Sequence, residues 1–402
     1  MILFPSGRPE DFESFDDYVG AGGYASLHES VSPVDILNAI DASGLRGRGG
    51  AGFPVGRKWV IAAETPADRR YVICNAGEDE PGSLKDRVLL ENRPHLVLEG
   101  ILLACRAIGA QEGIVYLNET YEKANSIVQQ AIQEANLPLP IRIQKAPTVY
   151  VAGEDSACLE VLEGKPPLPR QKPPYPAVAG LFGQPTVVNN VETLANVPLI
   201  IRNGPAWFRG FGTVASPGSM IFSLGEEVNN PGVYELPFGA SLRHLFEDLG
   251  GGLKSGKSLK SILPGGPSCA FISSEHLDVA LDPDSMKAVG SSLGCGVMRF
   301  YSQDTCMVEE TLKITQFFAR ESCGQCPACR METNMLVMML GRIESGEIDA
   351  SVFEQLEKVL EFNRGKGYCA LVNMPGAPIL SAVRLFKGDF EHHLQHGRCA
   401  HS

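Results

Sequence analysis

The sequence has no run of about 18 apolar residues, the length a membrane-spanning helix needs. The nearest approach, Leu96 to Ala110, is interrupted by Glu99 and Arg106. Nor is there an excess of positive charge. With 47 acidic and 35 basic residues the formal net charge is −12, whereas nucleic-acid binding needs a basic footprint. The opening stretch, MILFPSGRPEDFESFDD, lacks the basic start of a secretory signal and soon turns acidic. Without such a signal, the 11 cysteines predict metal or redox chemistry plus small buried apolar residues, rather than a disulfide framework. No internal repeat is present. These absences predict a soluble, cytoplasmic protein with no direct membrane span and no nucleic-acid partner, one that other subunits could hold at the inner membrane.

At 402 residues, 44% of them hydrophobic, the chain can bury a sizeable core, and roughly 150 residues per domain gives two or three domains. Ser32 before Pro33 reads as a helix start. Strand-like stretches at RRYVICNA (69–76), GIVYLNE (113–119) and TVYVAG (148–153) alternate with helical runs at 87–109, YEKANSIVQQAIQEA and EDSACLEVLEG. That alternation predicts an α/β layered sheet. The proline-crowded stretch 164–185 reads as an extended loop or as a rigid arm over a site. From about Trp207 to Met286, two short strands around Asn230-Pro231-Gly232 and a following helix resemble a small ubiquitin-like module. From Asp304 the pattern is mainly helical. The expected domains are an α/β domain over 1–205, the small α+β module over 206–290 and a helical domain over 291–402.

ESCGQCPACR carries Cys323, Cys326 and Cys329 at equal spacing. A lone Cys-x-x-Cys is ambiguous among zinc, thiol–disulfide exchange and iron–sulfur binding. Structural zinc usually takes two separated pairs, and a redox dithiol has no use for a third thiol. Three thiolates at i, i+3 and i+6 can each reach a different iron of a cubane, with a remote cysteine at the fourth corner. Cys369, in RGKGYCALV, is the candidate fourth ligand. The reading is a [4Fe–4S] cluster, with zinc as the alternative. His392, His393, His396, Cys399 and His401 make a second metal-like group at the C-terminus, for which a disordered tail is the plainer reading.

SGLRGRGGAGFP contains Gly47-x-Gly49-x-x-Gly52, a literal dinucleotide fingerprint, but it follows a helix rather than a strand. Six glycines between Gly44 and Gly56, with Arg46, Arg48 and Lys58 beside them, still make a backbone cradle for a phosphate. Glu78, Asp79 and Glu80 follow a strand directly, where ligands bind in α/β sheets. Glu154 and Asp155 open the helix after TVYVAG, either to compensate its dipole or to read hydroxyls and amides. A carboxylate at such a place accepts hydrogen bonds from a ribose diol and repels the extra phosphate of NADP. Asn189 and Asn190 are amides suited to a heteroaromatic edge or a phosphate, or a plain turn pair.

Taken together, GLRGRGGAGFPVGRKW, NAGEDEPGSLKDR, the stretch from YVAGEDSACLEVLEG to NNVETLANVP, and ESCGQCPACR with Cys369 resemble one family over almost the whole chain. It is the NADH-oxidising FMN subunit of respiratory complex I, the 51-kDa flavoprotein, which also supplies diaphorase subunits of hydrogenases and formate dehydrogenases. The resemblance implies a Rossmann-like FMN-binding domain, an SLBB-type ubiquitin-like domain and a helical bundle carrying the cluster. It implies FMN held by Gly47, Arg48, Gly49 and Lys58, with Asn189, Asn190 and Thr193 on the phosphate side and Asn75, Glu78, Tyr150 and Gly153 along the flavin. Phe53 and Glu80 are implied at the place of hydride transfer, Glu154 and Asp155 at NADH polar groups, and Lys172 and Tyr175 at the adenine end. Cys323, Cys326, Cys329 and Cys369 are implied as cluster ligands. The implied activity is NADH:acceptor oxidoreduction, with hydride passing to FMN and single electrons to the cluster and on to partner subunits.

Four departures stand out. Gly77 replaces the Asp usual in the family's NADE block, and Asp155 replaces the second Glu of a GEE triplet. CPACRMET stands for CTPCREGT, and CALVNM differs around the fourth ligand. These point toward a paralogue outside complex I. The chain carries no N-terminal thioredoxin-like two-iron extension, so a [2Fe–2S] partner subunit is expected. A diaphorase of a soluble hydrogenase, formate dehydrogenase or bifurcating complex is the alternative. A cluster-bearing structural subunit without flavin, and a zinc scaffold, are the readings from other classes.

Overall fold

The computed structural model describes residues 1–9, 12–28 and 31–400, and the chain divides into two compact units. The first comprises Met1–Asp79, Ser83–Ser223 and Gly232–Ala240; the second comprises Glu80–Gly82, Leu224–Pro231 and Ser241–Ser402.

The first unit begins with helices α1 (Phe15–Gly20), α2 (Ala25–His28), α3 (Pro33–Ser43) and α4 (Val55–Glu64). The expected start at Ser32 is a full capping box: its hydroxyl accepts from the Asp35 amide at 3.1 Å, while the Asp35 carboxylate accepts from the Ser32 amide at 3.4 Å. Strand β1 (Tyr71–Ala76) leads to α5 (Lys85–Asn92) and α6 (Pro94–Ile108), β2 (Glu112–Asn118) to α7 (Glu122–Glu134), and β3 (Ile141–Ala146) to α8 (Asp155–Leu162). The single helical run expected over 87–109 is thus two helices, parted at Pro94, which starts α6 where its missing N–H costs nothing. Gly109, in the left-handed region at φ 69°, ends α6. Nearly every residue of α6 is buried, Glu99 included; that carboxylate accepts from the Tyr24 amide at 3.0 Å and from the Tyr18 hydroxyl.

Strand β4 (Thr186–Asn190) passes into α9 (Val191–Asn203) with no residue between them, Asn190 being both the last strand residue and the helix cap. The four strands lie in the order β3-β2-β1-β4, all parallel. Asn75 of β1 is level with Tyr116 of β2 on one side and Asn190 of β4 on the other. The α/β expectation holds, with one shift: the third strand is 141–146, whereas Tyr150–Gly153 is a short 3₁₀ turn. TVYVAG has the right composition for a strand, but the chain bends there to present its backbone beyond the strand ends.

Helix α10 (Pro205–Arg209) and strands β5 (Ser219–Leu224) and β6 (Gly232–Pro237) follow, the strands joined across the expected Asn-Pro-Gly turn. Glu235 of β6 is buried and accepts from the amides of Ile2 (3.1 Å), Leu3 (2.9 Å) and Phe4 (2.7 Å), and from the Ser219 hydroxyl. The second unit contains β7 (Leu259–Pro264), β8 (Ile272–Ser273), helix α11 (Pro283–Ala288) and β9 (Val297–Ser302), with β7 antiparallel to both β8 and β9. Helices α12 (Met307–Glu321), α13 (Pro327–Glu344), α14 (Val352–Asn363), α15 (Gly376–Leu385) and α16 (Lys387–His396) complete it. Helix α12 packs on α13, α15 and α16. No helix among the described residues is long and apolar enough to cross a membrane.

Replacing Glu235 by Ala leaves three buried backbone donors without their acceptor, so the first unit should lose at least about 3 kcal/mol in urea unfolding. A loss below about 1 kcal/mol would show that residues 2–4 do not depend on this carboxylate.

Candidate functional site

The glycine loop is closed at its base by a bridge between Arg46 and Pro54 and by the Gly47 amide donating to Phe53 O at 2.9 Å. Gly50 (φ 97°) and Gly52 (φ 61°) turn it through the left-handed region. A Cβ added to Gly49 would lie 3.2 Å from Asn190 Cβ, so the loop approaches the end of β4 as closely as glycine allows. The Arg48 amide donates to Thr193 Oγ1 at 2.9 Å. Its guanidinium, however, is buried, donates to Ser219 O and Arg46 O at 3.0 Å each, and lies over the Phe238 ring. Burial lowers its pKa to about 10. The loop therefore offers its main chain, while the Arg48 side chain is committed to holding it.

Lys58, on α4, donates to Val188 O at 2.9 Å, its one hydrogen bond among the described residues. Burial pulls its pKa down, and the Asp155 charge partly offsets this. Trp59 Nε1 donates to Asn189 Oδ1 at 2.9 Å, which fixes that amide. Asn75 Nδ2 reaches across to Gly153 O at 2.8 Å, and its Oδ1 accepts the Gly77 amide at 3.2 Å. A Cβ at Gly77 would sit 3.1 Å from the Tyr116 ring, and one at Gly153 would sit 2.9 Å from Gly77 O, so both glycines keep this corner narrow. The Tyr116 hydroxyl beside them is buried without a hydrogen-bond partner among the described residues.

Glu78 serves the next helix. Its carboxylate accepts from the amides of Asp86 and Arg87, each at 3.1 Å, and from the Tyr121 hydroxyl at 3.1 Å, capping α5 from outside its own turn. Burial and the nearby Asp86 push its pKa up. Glu154 caps α8 in the same way, accepting from Ser156 N (2.9 Å) and Ala157 N (2.8 Å). Lys172, from the proline-rich arm, donates to both Glu154 and Asp155. Against the effect of burial, hydrogen bonding to Glu154 and the Lys172 charge pull Asp155 below the usual carboxylate range. The arm is tied down further by Arg170, which pairs with Glu160 (2.5 Å) and Glu163 (2.8 Å). Phe53 and Tyr175 are 40% and 60% exposed, open aromatic faces on this unit. Tyr150 lies in the 3₁₀ turn that delivers Gly153.

Three residues missed in the sequence lie at the heart of this region. Lys85 is buried, and its ammonium meets Asp86 Oδ1 (2.7 Å), Asn190 Oδ1 (2.8 Å) and Glu192 Oε2 (3.2 Å). Asp86 in turn accepts from Asn190 Nδ2 at 2.5 Å, and Glu192 accepts the Ile221 amide at 2.9 Å. The available signal was a Lys-Asp pair inside NAGEDEPGSLKDR and a lone carboxylate within the otherwise uncharged VVNNVETLANVP. Glu80, expected beside the other acidic residues, groups with the second unit, where its carboxylate fills the space a side chain at Gly266 would need.

In the second unit Cys323 lies between α12 and α13, Cys326 caps α13, and Cys329 is in its first turn. The Tyr368 amide donates to Cys326 Sγ at 3.3 Å, bringing Cys369 to the same corner, and the Ser322 hydroxyl lies 3.4 Å from Cys329 Sγ. N–H and O–H groups aimed at sulfur are the environment that tunes an iron–sulfur centre. Glu332, one turn after Cys329, is a further missed residue. Both its oxygens are buried without a hydrogen bond among the described residues, and burial raises its pKa to about 8.

A parallel α/β unit with a glycine cradle, and a helical unit with three cysteines in one loop and a fourth next to the Tyr368 amide that reaches Cys326, suit a protein that binds a phosphate-bearing cofactor and a metal–sulfur centre. Family models agree. The one described as the Nuo51 FMN-binding domain matches residues 40–199, and the NADH-ubiquinone oxidoreductase-F iron–sulfur binding region matches residues 309–393. The F 2 subunit of NADH-quinone oxidoreductase in Rhizobium meliloti (strain 1021) is 41% identical over 414 residues, covering 99% of this chain and 98% of that protein. The NADP-reducing hydrogenase subunit HndC of Solidesulfovibrio fructosivorans is 38% identical over 404 residues, covering 97% and 82%. A crystal structure of NAD⁺-reducing [NiFe]-hydrogenase in the H₂-reduced state superposes with a TM-score of 0.85 at 35% identity over 92% of this chain, which spans 64% of that longer chain. The chain belongs to the family of NADH-quinone oxidoreductase F subunits.

Glu332 gives a signed pH dependence. Its folded-state pKa of about 8 lies above the ordinary 4.5, so the folded state binds its proton more tightly. The stabilisation is complete below about pH 4.5 and is lost as pH rises towards 8. Glu332→Gln should therefore gain melting temperature over wild type progressively from pH 5 to pH 8 in calorimetry of the cluster-loaded protein. A pH-independent difference would sink this assignment.

Proposed function

We propose that this chain is the electron-entry subunit of a multisubunit NADH oxidoreductase, binding FMN at the glycine-loop unit and a [4Fe–4S] cluster at Cys323, Cys326, Cys329 and Cys369. The observation that carries the reading is the pairing of two cofactor sites in one chain. One is a loop of glycine main chain against Asn190 and Thr193; the other is the loop of Cys323, Cys326 and Cys329, with the segment before Cys369 hydrogen-bonded to it. The half-buried Lys58 ammonium, whose one described hydrogen bond is to a carbonyl, suits an anionic phosphate. The donor set at α13 is all sulfur, the chemistry of an iron–sulfur cluster.

Bound FMN supplies the exchange between a two-electron hydride and the single electrons that a cluster accepts. The protein's task is positioning. Main-chain groups at Gly47 and Gly49 and the side chains of Asn189, Asn190 and Thr193 orient the phosphate end, with Arg48 acting through the Thr193 hydroxyl that its amide holds. Asn75, Tyr150 and Gly153 line the ring, with Glu78 holding α5 in place behind it. Phe53 offers a stacking face to NADH. Glu154 and Asp155 read its polar groups, and Lys172 and Tyr175 flank its adenine end. We further assign the FMN domain to 1–205, an SLBB-type module to 206–290 and the helical cluster domain to 291–402. A thioredoxin-like [2Fe–2S] subunit receives the electrons, and any attachment to the inner membrane runs through partner subunits.

The likeness to HndC and to the NAD⁺-reducing hydrogenase favours a second reading, a diaphorase that runs towards nucleotide reduction; the subunits that co-purify from the native host distinguish the two. An anaerobic visible spectrum tests both. NADH, but not NADPH, should bleach a flavin band above a broad iron–sulfur absorption. Iron–sulfur absorption without flavin, even after FMN is supplied, would leave only a structural subunit. Lys58→Ala should weaken FMN binding about 10- to 100-fold, the value of one charge-assisted contact, read as flavin released on ultrafiltration. Unchanged retention would remove Lys58 from the phosphate site.

A further inference from the structure

The second unit gathers another set of soft ligands, distinct from the four cysteines at α13. Cys306 is the residue before α12, His393 lies on α16 and Cys399 follows that helix. All three are buried, and Cys306 Sγ, Cys399 Sγ and a histidine ring nitrogen lie within 4.8 Å of one another. Cys306 Sγ is 3.2 Å from His393 Nε2. The other ring nitrogen, Nδ1, is 2.8 Å from Glu344 O at the end of α13. A carbonyl can only accept, so Nδ1 carries the hydrogen and Nε2 turns its lone pair towards the sulfurs. Orienting a ligand histidine through its second nitrogen is the usual support of a metal site.

A hydrogen-bonded core trio is the simpler account; what goes beyond it is that two buried thiols and an imidazole lone pair converge on one point, the donor set and spacing of a metal site. Tetrahedral zinc, with Zn–S about 2.3 Å and Zn–N about 2.0–2.1 Å, spaces its ligand atoms about 3.5–3.8 Å apart, a spacing these three atoms reach with small shifts. We propose that Cys306, His393 and Cys399 bind a thiophilic divalent ion of the zinc class, one further donor completing the tetrahedron. Binding replaces the two thiol hydrogens, which leave as two protons, and nothing is oxidised or reduced. The ion joins the start of α12, the end of α13 through Glu344, and the segment after α16. Helix α12 has 15 residues, about 22 Å, so the ion sits at the far end of the α12–α13 pair from Cys323 and Cys326. Its role is to fasten the helices whose other ends frame the cysteine loop. Of the histidines expected to join a C-terminal metal group, the rings of His392 and His396 lie against each other at a 50° tilt with centroids 4.4 Å apart, and His401 lies outside the described residues.

The test uses the full chain carrying FMN and its cluster, with metals counted by mass spectrometry after a chelator wash. The expected result is about one zinc beside about four irons. Cys306→Ser/Cys399→Ser should lose the zinc while keeping the irons and NADH–ferricyanide activity, and Cys323→Ser should do the reverse. Because a misfolded double variant would also lose zinc, the zinc X-ray absorption edge of the wild type supplies an independent reading. Two sulfurs at about 2.3 Å with nitrogen at about 2.0–2.1 Å are expected. No zinc retained after incubation with Zn²⁺, a shell without sulfur, full retention by the double variant, or a Cys306–Cys399 disulfide in the native protein would each overturn the proposal.

Discussion

The arrangement of the first unit's strand ends hangs on one buried charge. An ammonium taken out of water costs several kcal/mol unless it is paired and hydrogen-bonded. Lys85 meets that condition with Asp86, Glu192 and the Asn190 side chain. Those partners come from α5, α9 and the end of β4, so satisfying one cation fixes three elements. Asn190 is then in place to cap α9, Thr193 in the next turn holds the Arg48 amide, and the glycine loop settles against both. The Arg48 side chain and the amides of Gly47 and Arg48 are spent on holding the loop in place. The glycine main chain beyond them is what it has left to offer a ligand.

The order of elements around that charge was largely legible in the sequence, for a physical reason. Strand and helix periodicities differ, so the alternation of elements showed through, and Ser32 before Pro33 marked the start of α3. TVYVAG misled because β-branched and aromatic residues suit a strand and an extended approach to one equally well. Strand β4 went unread because its two asparagines are poor strand formers; they sit there as site residues at its end, where function overrides propensity. The acidic residues carried the least positional information. A carboxylate in a loop motif can face a ligand or a helix terminus, and Glu78 and Glu154 both accept from helix N–H groups. Only the fold separates those roles.

The second unit was readable wherever its chemistry is local. Equal spacing of Cys323, Cys326 and Cys329 stands in one decapeptide, and Cys369 could be matched to it because it is the next cysteine along the chain, past a helical stretch. Cys306 could not be joined to His393 and Cys399 in the same way, since nearly ninety residues separate them. The histidines near the C-terminus drew attention as a group, yet position in the sequence told nothing of which faced inwards. Glu332 was likewise silent: a glutamate in a helix is ordinary until its burial is known.

The direct passage from β4 into α9 has a consequence for how this chain can vary. A loop absorbs an inserted residue by bulging, but here no loop residue exists to do so. One residue added at Asn190 would turn α9 by about 100° and advance it about 1.5 Å, carrying Glu192 away from Lys85 and Thr193 away from the glycine loop together. Relatives with working cofactor sites should therefore show neither insertion nor deletion across Asn189–Thr193. That junction serves as a fixed ruler, and comparative sequencing can read it without any assay of activity.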